Sequence, residues 1–370
     1  LSFKQIRKIN IEELLERDVI QISNDKVGQE IAGKVVLITG AAGSIGSELV
    51  RQVSEFHPAM LLCVDQAETP MFHLQNELDQ HRFKDYKIII GDICDEKKMR
   101  MIFSTYKPDI VFHAAAYKHV PMMEQNPSEA VRNNVLGTRV LADFAMEYNT
   151  GKFVFISTDK AVNPTNVMGA SKRIAEMYVQ AHDKKANTRF ITTRFGNVLG
   201  SNGSVIPQFR KQIESGGPIT VTDAEVTRYF MTIPEAVSLV LEAGTMGQGG
   251  EIFIFDMGKS VKILDLAQKM ILLSGLTLGK DIQIEFTGLR PGEKLYEELL
   301  ADKENTLPTY HDRIMIARVE NRDAAAIEAD INDFPSLVND SNETEIVRKM
   351  KLIVPEFQSR NSIFEQLDKK

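Results

Sequence analysis

Residues 157–172 read STDKAVNPTNVMGASK and gather a hydroxyl, a carboxyl and two amines able to move protons: Thr158, Asp159, Lys160 and, twelve positions further on, Lys172. A tyrosine four positions before a lysine on one helix would be a phenol whose pKa the ammonium lowers, fit to take a proton from an alcohol. Four positions before Lys172 stands Met168, whose thioether cannot do this. The proton chemistry falls to Thr158, Asp159 and Lys160, or the chain has lost catalysis. Met168 is then either a plain packing residue or the mark of a dead enzyme.

The elements that must position these groups show in the periodicity. Short apolar runs alternate with helical patterns: KVVLITG then a helix from Ser44, AMLLCVD then a helix to about Phe83, YKIIIGD then 96–104, PDIVFHAAA then 127–148, KFVFIST then 171–184, and finally RFITTRFGN. Strand and helix in alternation imply a parallel sheet covered on both faces, a doubly wound α/β fold. Ligands bind such sheets at the carboxyl ends of the strands. The STDK run ends the fifth strand, so it is expected at a ligand rather than in a solvated loop.

The first strand runs into TGAAGSIGSEL, with Gly40, Gly43 and Gly46 ahead of a helix opened by Ser44 and Ile45. Glycines there let backbone approach a pyrophosphate at the positive end of the helix. Asp65 and Gln66 close the second strand about twenty residues on, where an acid meets the adenosine ribose and repels a 2′-phosphate, favouring NAD over NADP. Asp92 and Ile93 follow the third strand, the aspartate either meeting the adenine amine or capping a turn. Ala114, Ala115 and Ala116 are small enough for backbone to lie against the cofactor. His113 reads as a satisfied core histidine. For Lys118, His119 and Glu124, in the loop that follows, a functional and a structural role both stand.

Composition narrows the classes. Of 370 residues, 43% are hydrophobic and 26% charged, with a net charge of −7, which fits a globular protein and leaves no footprint for nucleic acid. No run reaches the roughly 18 apolar residues of a membrane span, and the opening LSFKQIRKIN lacks a signal core; the expected location is cytoplasmic. Cys63 and Cys94, the only cysteines, offer neither a disulfide framework nor metal-ligand spacing.

TGAAGSIG, GDICD, HAAAYKHVP, NNVLGT, STDK, GASK, RFGNVLGSNGSVIP and GLRPGEKLYEEL together resemble the extended short-chain dehydrogenases that act on nucleotide sugars. More narrowly, they resemble the nucleoside-diphosphate-sugar 4,6-dehydratases of polysaccharide biosynthesis. Within that family the small soluble enzymes carry tyrosine at the position of Met168, and the larger ones with an N-terminal membrane region carry methionine. This chain is similar to the catalytic part of the latter, with residues 1–33 resembling the linker before it, so a longer, membrane-anchored natural protein is expected.

The resemblance implies a tightly held, recycled NAD that takes hydride from C4 of the sugar and returns it to C6 after water leaves across C5 and C6. It implies Asp159 as the acid for the C6 oxygen and Lys160 as the base at C5, the latter with a pKa lowered by Lys172 if the two ammonium groups are close. Lys172 itself would bond the nicotinamide ribose. Thr158 would bond the C4 hydroxyl and pass its proton toward Asp159. Asn197, Arg228, Arg290 and Glu293 would hold the nucleotide: the arginines on the diphosphate, Glu293 on the uridine ribose, Asn197 on a phosphate or backbone edge. Lys118 is counted with these substrate contacts.

The expected organisation is an NAD-binding domain over 34–195, an interleaved nucleotide-sugar lobe over 196–320, and an irregular acidic tail from 321 with one terminal helix. Exposed apolar faces on the helices 127–148 and 171–184 would, as in the family, make a four-helix homo-oligomer interface. The leading reading is a UDP-N-acetylglucosamine 4,6-dehydratase that retains C5. The alternatives are a C5-inverting dehydratase or 4-epimerase and, outside enzymes, an inert dinucleotide-binding scaffold.

Overall fold

The computed structural model describes residues 25–80, 83–183, 187–298, 306–319 and 322–368; most of the segment read as a linker, 1–24, lies outside them. Among these residues the main sheet has nine strands: β1 Val35–Thr39, β2 Met60–Asp65, β3 Tyr86–Ile90, β4 Ile110–His113, β5 Lys152–Ile156, β6 Arg189–Arg194, β7 Ile252–Phe255, β8 Thr306–Pro308 and β9 Ile314–Ala317. Their order is β8-β9-β7-β6-β5-β4-β1-β2-β3. Neighbours from β3 to β7 run parallel, and β9 pairs antiparallel with both β7 and β8. This is the doubly wound Rossmann arrangement expected from the alternation. The chain reverses direction across the sheet between β1 and β4, which opens a crevice at the carboxyl ends of those strands.

Apolar side chains fill both faces, with β5 buried at every position. The smaller lobe has its own core of Leu199, Ile206, Phe209, Ile219, Phe230, Leu266 and Met270, while β7, β8 and β9 return the same stretch of chain to the main sheet. The helix Asp25–Ile31, within the expected linker, buries Val27 and Ile31 in the domain core.

Three expectations are corrected. The helix read as 127–148 is two α-helices, Pro127–Ala130 and Gly137–Glu147, joined by a π-helical stretch at Val131–Leu136. The tail is not irregular: it forms helices Ala324–Ile331, Phe334–Asn339 and Glu343–Ile353. These helices bury Ile327, Ile331, Phe334, Ile346 and Met350 in the same core as Ile174, Met177 and Val179 of the helix Val167–His182. That helix therefore has almost no exposed residue, and its face read as an oligomer interface is covered by the chain's own tail. Periodicity marks an apolar face but not what covers it.

Candidate active site

The STDK loop and the next helix are locked together by two short-range features. Asn166 caps the helix Val167–His182 by accepting from Gly169 N at 2.7 Å. A Cβ on Gly169 would lie 2.1 Å from Lys160 O, so only glycine lets the helix start against the STDK turn. The helix begins at Val167, a turn earlier than the sequence suggests, so Met168 and Lys172 lie one turn apart on it, both buried.

Thr158, Lys160, Met168 and Lys172 face a cleft of about 900 Å³ that also takes in Gly43, Ser44, Ile45, Gly46, Ala114, Ala116, Lys118, Asn197, Arg228, Arg290, Glu293 and Glu297. Thr158 Oγ1 donates to Asp159 Oδ1 at 2.9 Å, and Lys160 Nζ donates to the same oxygen and to Asn197 Oδ1, each at 3.0 Å. The Asp159 side chain is fully buried, below the floor that Thr158 and Lys160 present. Its Oδ2 has no hydrogen-bond partner among the described residues and points toward Gly196, where a Cβ would sit 3.0 Å from it. The carboxyl read as meeting the C6 oxygen thus lies behind Thr158 and Lys160.

Electrostatics correct a second expectation. Burial pushes the Lys160 pKa down, but the charges of Asp159 and Glu297 outweigh it and hold the ammonium above its usual range. Of the two, it is Lys172 whose pKa falls, to about 7, because burial strips its solvent. Its Nζ lies 3.9 Å from the centroid of the Phe155 ring.

On the cofactor side, Gly46 can be nothing larger: a Cβ there would stand 1.9 Å from Gly40 O. The helix Ser44–Glu55 has no side-chain cap at its start, which leaves its first N–H groups available to an anion. Asp65 accepts from Ala42 N at 3.1 Å and Ala67 N at 2.9 Å, shaping the glycine turn; Gln66 Nε2 donates to the Tyr117 hydroxyl at 3.3 Å. This uncapped turn fits a dinucleotide pyrophosphate. Asp92 follows the turn reading, accepting from Cys94 N at 2.9 Å and pairing with Arg132 at 2.5 Å. Ile93 is buried against Gly137.

Among the residues expected at the nucleotide, Glu293 bridges Arg228 at 3.1 Å and Arg290 at 3.3 Å. Arg228 is buried and also donates to Thr227 O and Leu295 O, whereas the Arg290 side chain is 55% exposed. Asn197, expected on a phosphate or backbone edge, lines the cleft and accepts from Lys160 Nζ through its Oδ1. His113 is a core residue, bonded to Thr39 and Thr138. Glu124 is buried and accepts from Val167 N and Ser362 Oγ, a structural role. Burial lowers the Lys118 pKa at the cleft wall.

Sequence reasoning missed Glu297 and Asn134. The Asn134 amide grips Tyr117, accepting from its N at 2.8 Å and donating to its O at 2.9 Å, so the π-helical stretch fixes the loop after β4. A polar pair, Asn133 and Asn134, inside an apolar helix was the available signal. Glu297 looked like one more charge in a charged segment.

A glycine turn feeding an uncapped helix, at the switch point of a parallel sheet and opposite a Thr-Asp-Lys floor, defines an extended short-chain dehydrogenase. The family described as polysaccharide biosynthesis protein matches residues 36–319, and this chain belongs to it. It is 47% identical to the capsular polysaccharide biosynthesis protein CapD of Staphylococcus aureus, over 94% of this chain and 58% of CapD. It is 48% identical to the probable polysaccharide biosynthesis protein EpsC of Bacillus subtilis, over 90% and 56%. The chain thus spans little more than half the length of these curated relatives. A UDP-N-acetylglucosamine 4,6-dehydratase (inverting) of Campylobacter jejuni is 34% identical over 74% of this chain and 80% of its own. Among solved structures, Pen from Bacillus thuringiensis superposes with a TM-score of 0.72 at 35% identity, covering 80% of this chain and 91% of that one. DesIV of Streptomyces venezuelae, a dTDP-glucose 4,6-dehydratase solved with NAD, shares the fold at TM-score 0.61 and 22% identity, over 68% of this chain and 84% of its own. No described helix is long and apolar enough to cross a membrane.

Proposed function

We propose that this chain is an NAD-dependent UDP-N-acetylglucosamine 4,6-dehydratase that retains the C5 configuration and serves glycan or polysaccharide biosynthesis. The observation that carries this reading is the hydrogen-bonded run Thr158–Asp159–Lys160 on a cleft floor where Met168 stands in place of a phenol. The Campylobacter relative supports the substrate, and DesIV with its NAD supports the cofactor. NAD, when bound, supplies a hydride acceptor for C4 and a hydride donor for C6.

The chain's own residues handle the protons. Thr158 Oγ1 takes the C4 hydroxyl proton while passing its own to Asp159 Oδ1, 2.9 Å away, which does the work of the missing phenol. The resulting ketone acidifies the C5 hydrogen. Lys160, fixed by Asn197, becomes a base once its ammonium proton moves onto a neighbouring carboxylate such as Glu297, 3.7 Å away; the amine then takes the C5 proton and returns it to the same face, which preserves stereochemistry. Arg228 and Arg290, charged at any working pH, meet the diphosphate, with Glu293 turning toward the uridine ribose. Lys172, next to the Phe155 ring, bonds the nicotinamide ribose.

A second reading, the C5-inverting dehydratase, is supported by the printed name of the Campylobacter relative. Turnover of UDP-N-acetylglucosamine in deuterated water separates the two. One deuteron at C5 of a 4-keto-6-deoxy product with unchanged configuration supports retention; the epimeric product supports inversion. Recovery of unreacted substrate overturns both.

A further inference from the structure

Among the described residues three acids line the cleft, Glu129, Glu293 and Glu297, and each already faces a cation. Glu129 lies 3.7 Å from Arg132, Glu293 bridges Arg228 and Arg290, and Glu297 lies 3.7 Å from Lys160. Lys118 and His119 line the same cleft, yet neither side chain has a hydrogen bond or ion pair among the described residues. Glu124, the acid of the short helix that follows them, is held by Val167 N and Ser362 Oγ.

The imidazole is seated, not loose. A Cβ on Gly203 would lie 2.6 Å from His119 Cε1, and Gly203 has φ +71°, where a side chain is strained. Asn202 N donates to Ser44 Oγ at 3.0 Å, so the loop that packs on the ring is itself fixed to the start of the glycine-turn helix. The charged groups facing His119 are Lys118 on its own loop and Arg290 on the RPGEK loop; residues 200–204, GSNGS, carry none. Burial first, then these two cations, hold the imidazole of the free chain below its ordinary pKa. A cleft wall with cations and no counter-charge is matched by an anion.

We propose that His119 is a further substrate-binding residue, taking up one proton from solvent as the diphosphate of the UDP-sugar enters between it and Arg290. This rests on the UDP-sugar reading and makes capture of that substrate proton-linked. In the empty cleft a third positive charge beside Lys118 and Arg290 is repelled. The arriving phosphates reverse that balance, and the imidazolium donates a charge-assisted hydrogen bond to a phosphate oxygen. The His119 pKa therefore rises on binding. The added affinity is full below the pKa of the free chain and is lost as pH climbs to that of the complex. A sugar-linked diphosphate has no group that titrates near neutral pH, so the ligand itself does not produce the effect.

The test follows the imidazole resonances of the full chain against pH, free and saturated with UDP-N-acetylglucosamine, with His119→Gln identifying the signal by its loss. The diphosphate is common to substrate and product, so turnover leaves this reading intact. His119 should titrate below the ordinary histidine range in the free chain and above it in the complex. In steady-state kinetics the KM of His119→Gln should exceed that of the unaltered chain roughly three- to tenfold at about pH 6 and converge with it by about pH 8. The kcat values of the two chains should keep a constant ratio across that range. An imidazole that titrates alike with and without the UDP-sugar, or a KM ratio independent of pH, would overturn the proposal and leave the UDP-sugar reading standing. Failure of the unaltered chain to bind UDP-N-acetylglucosamine saturably would overturn that reading and this role together.

Discussion

Ser362 donates its hydroxyl to Glu124 at 2.6 Å, across 238 positions of sequence. The other Glu124 oxygen accepts from Val167 N at 2.6 Å, so one carboxylate ties the tail to the first turn of the helix carrying Met168 and Lys172. Nearby, Arg360 O accepts from Gly292 N at 2.7 Å, and Arg360 N donates to Thr165 O. The tail thus straps the catalytic loop to the RPGEK loop. Glu124→Ala would leave the Val167 amide unsatisfied in a buried site, and a loss of about 2–4 kcal/mol is expected. Urea unfolding with an unchanged m-value checks it; a loss under about 0.5 kcal/mol would show that the strap does not bear on stability.

Lys172 is held at a pKa of about 7 against an ordinary 10.5. Between those values the unfolded chain binds more protons than the native one, so this lysine makes native stability rise with pH across the window. Lys172→Met removes the group without emptying its space. It should raise the unfolding temperature, with the gain, of order a few kcal/mol, fully present below pH 7 and gone above about pH 10.5. Affinity for NAD, followed by calorimetry, should fall in the same variant. A gain that does not depend on pH would refute the assignment.

Gly46→Ala sets a methyl against a backbone carbonyl, Gly40 O, at 1.9 Å. Backbone cannot swing away as a side chain can, so the turn itself must move. Destabilisation of roughly 1–3 kcal/mol and loss of measurable NAD binding are expected. Full retention of NAD affinity would show that the turn does not hold the pyrophosphate.

Thr158→Val keeps the shape of the side chain and deletes the hydroxyl that bonds Asp159 Oδ1. If that hydroxyl relays the C4 proton in place of a phenol, kcat should fall roughly 10²- to 10⁴-fold with KM little changed. Steady-state kinetics decide it; turnover within about threefold of the unaltered chain would remove Thr158 from the relay.

The sheet, the glycine turn and the STDK floor were legible because each rests on local signals: period, glycine spacing, and the end of a strand. Charge states and coverage were not, because they depend on what folds back from far away. Lys160 has its ammonium stabilised first by its neighbour Asp159 and then by Glu297, 137 positions on, and together they reverse the pKa shift inferred from Lys172. The apolar face of Val167–His182 looked free because the helices that cover it begin at Ala324. The bond from Lys160 Nζ to Asn197, 37 positions on, is likewise set by the fold and not by sequence neighbours.

Arg228 and Arg290 differ in what else they hold, and that separates their variants. Arg228 is buried and bonds Glu293, Thr227 O and Leu295 O, so Arg228→Ala strips donors from two carbonyls and leaves a buried carboxylate short of its partner. Both stability, by about 2–4 kcal/mol, and substrate affinity should fall. Arg290 is half exposed and bonds only Glu293 among the described residues, and exposed pairs contribute about 0–1 kcal/mol. Arg290→Ala should therefore raise the KM for the UDP-sugar at least tenfold while shifting the unfolding temperature little. An unchanged KM for Arg290→Ala would move the diphosphate away from this loop, and the lobe would need another anchor.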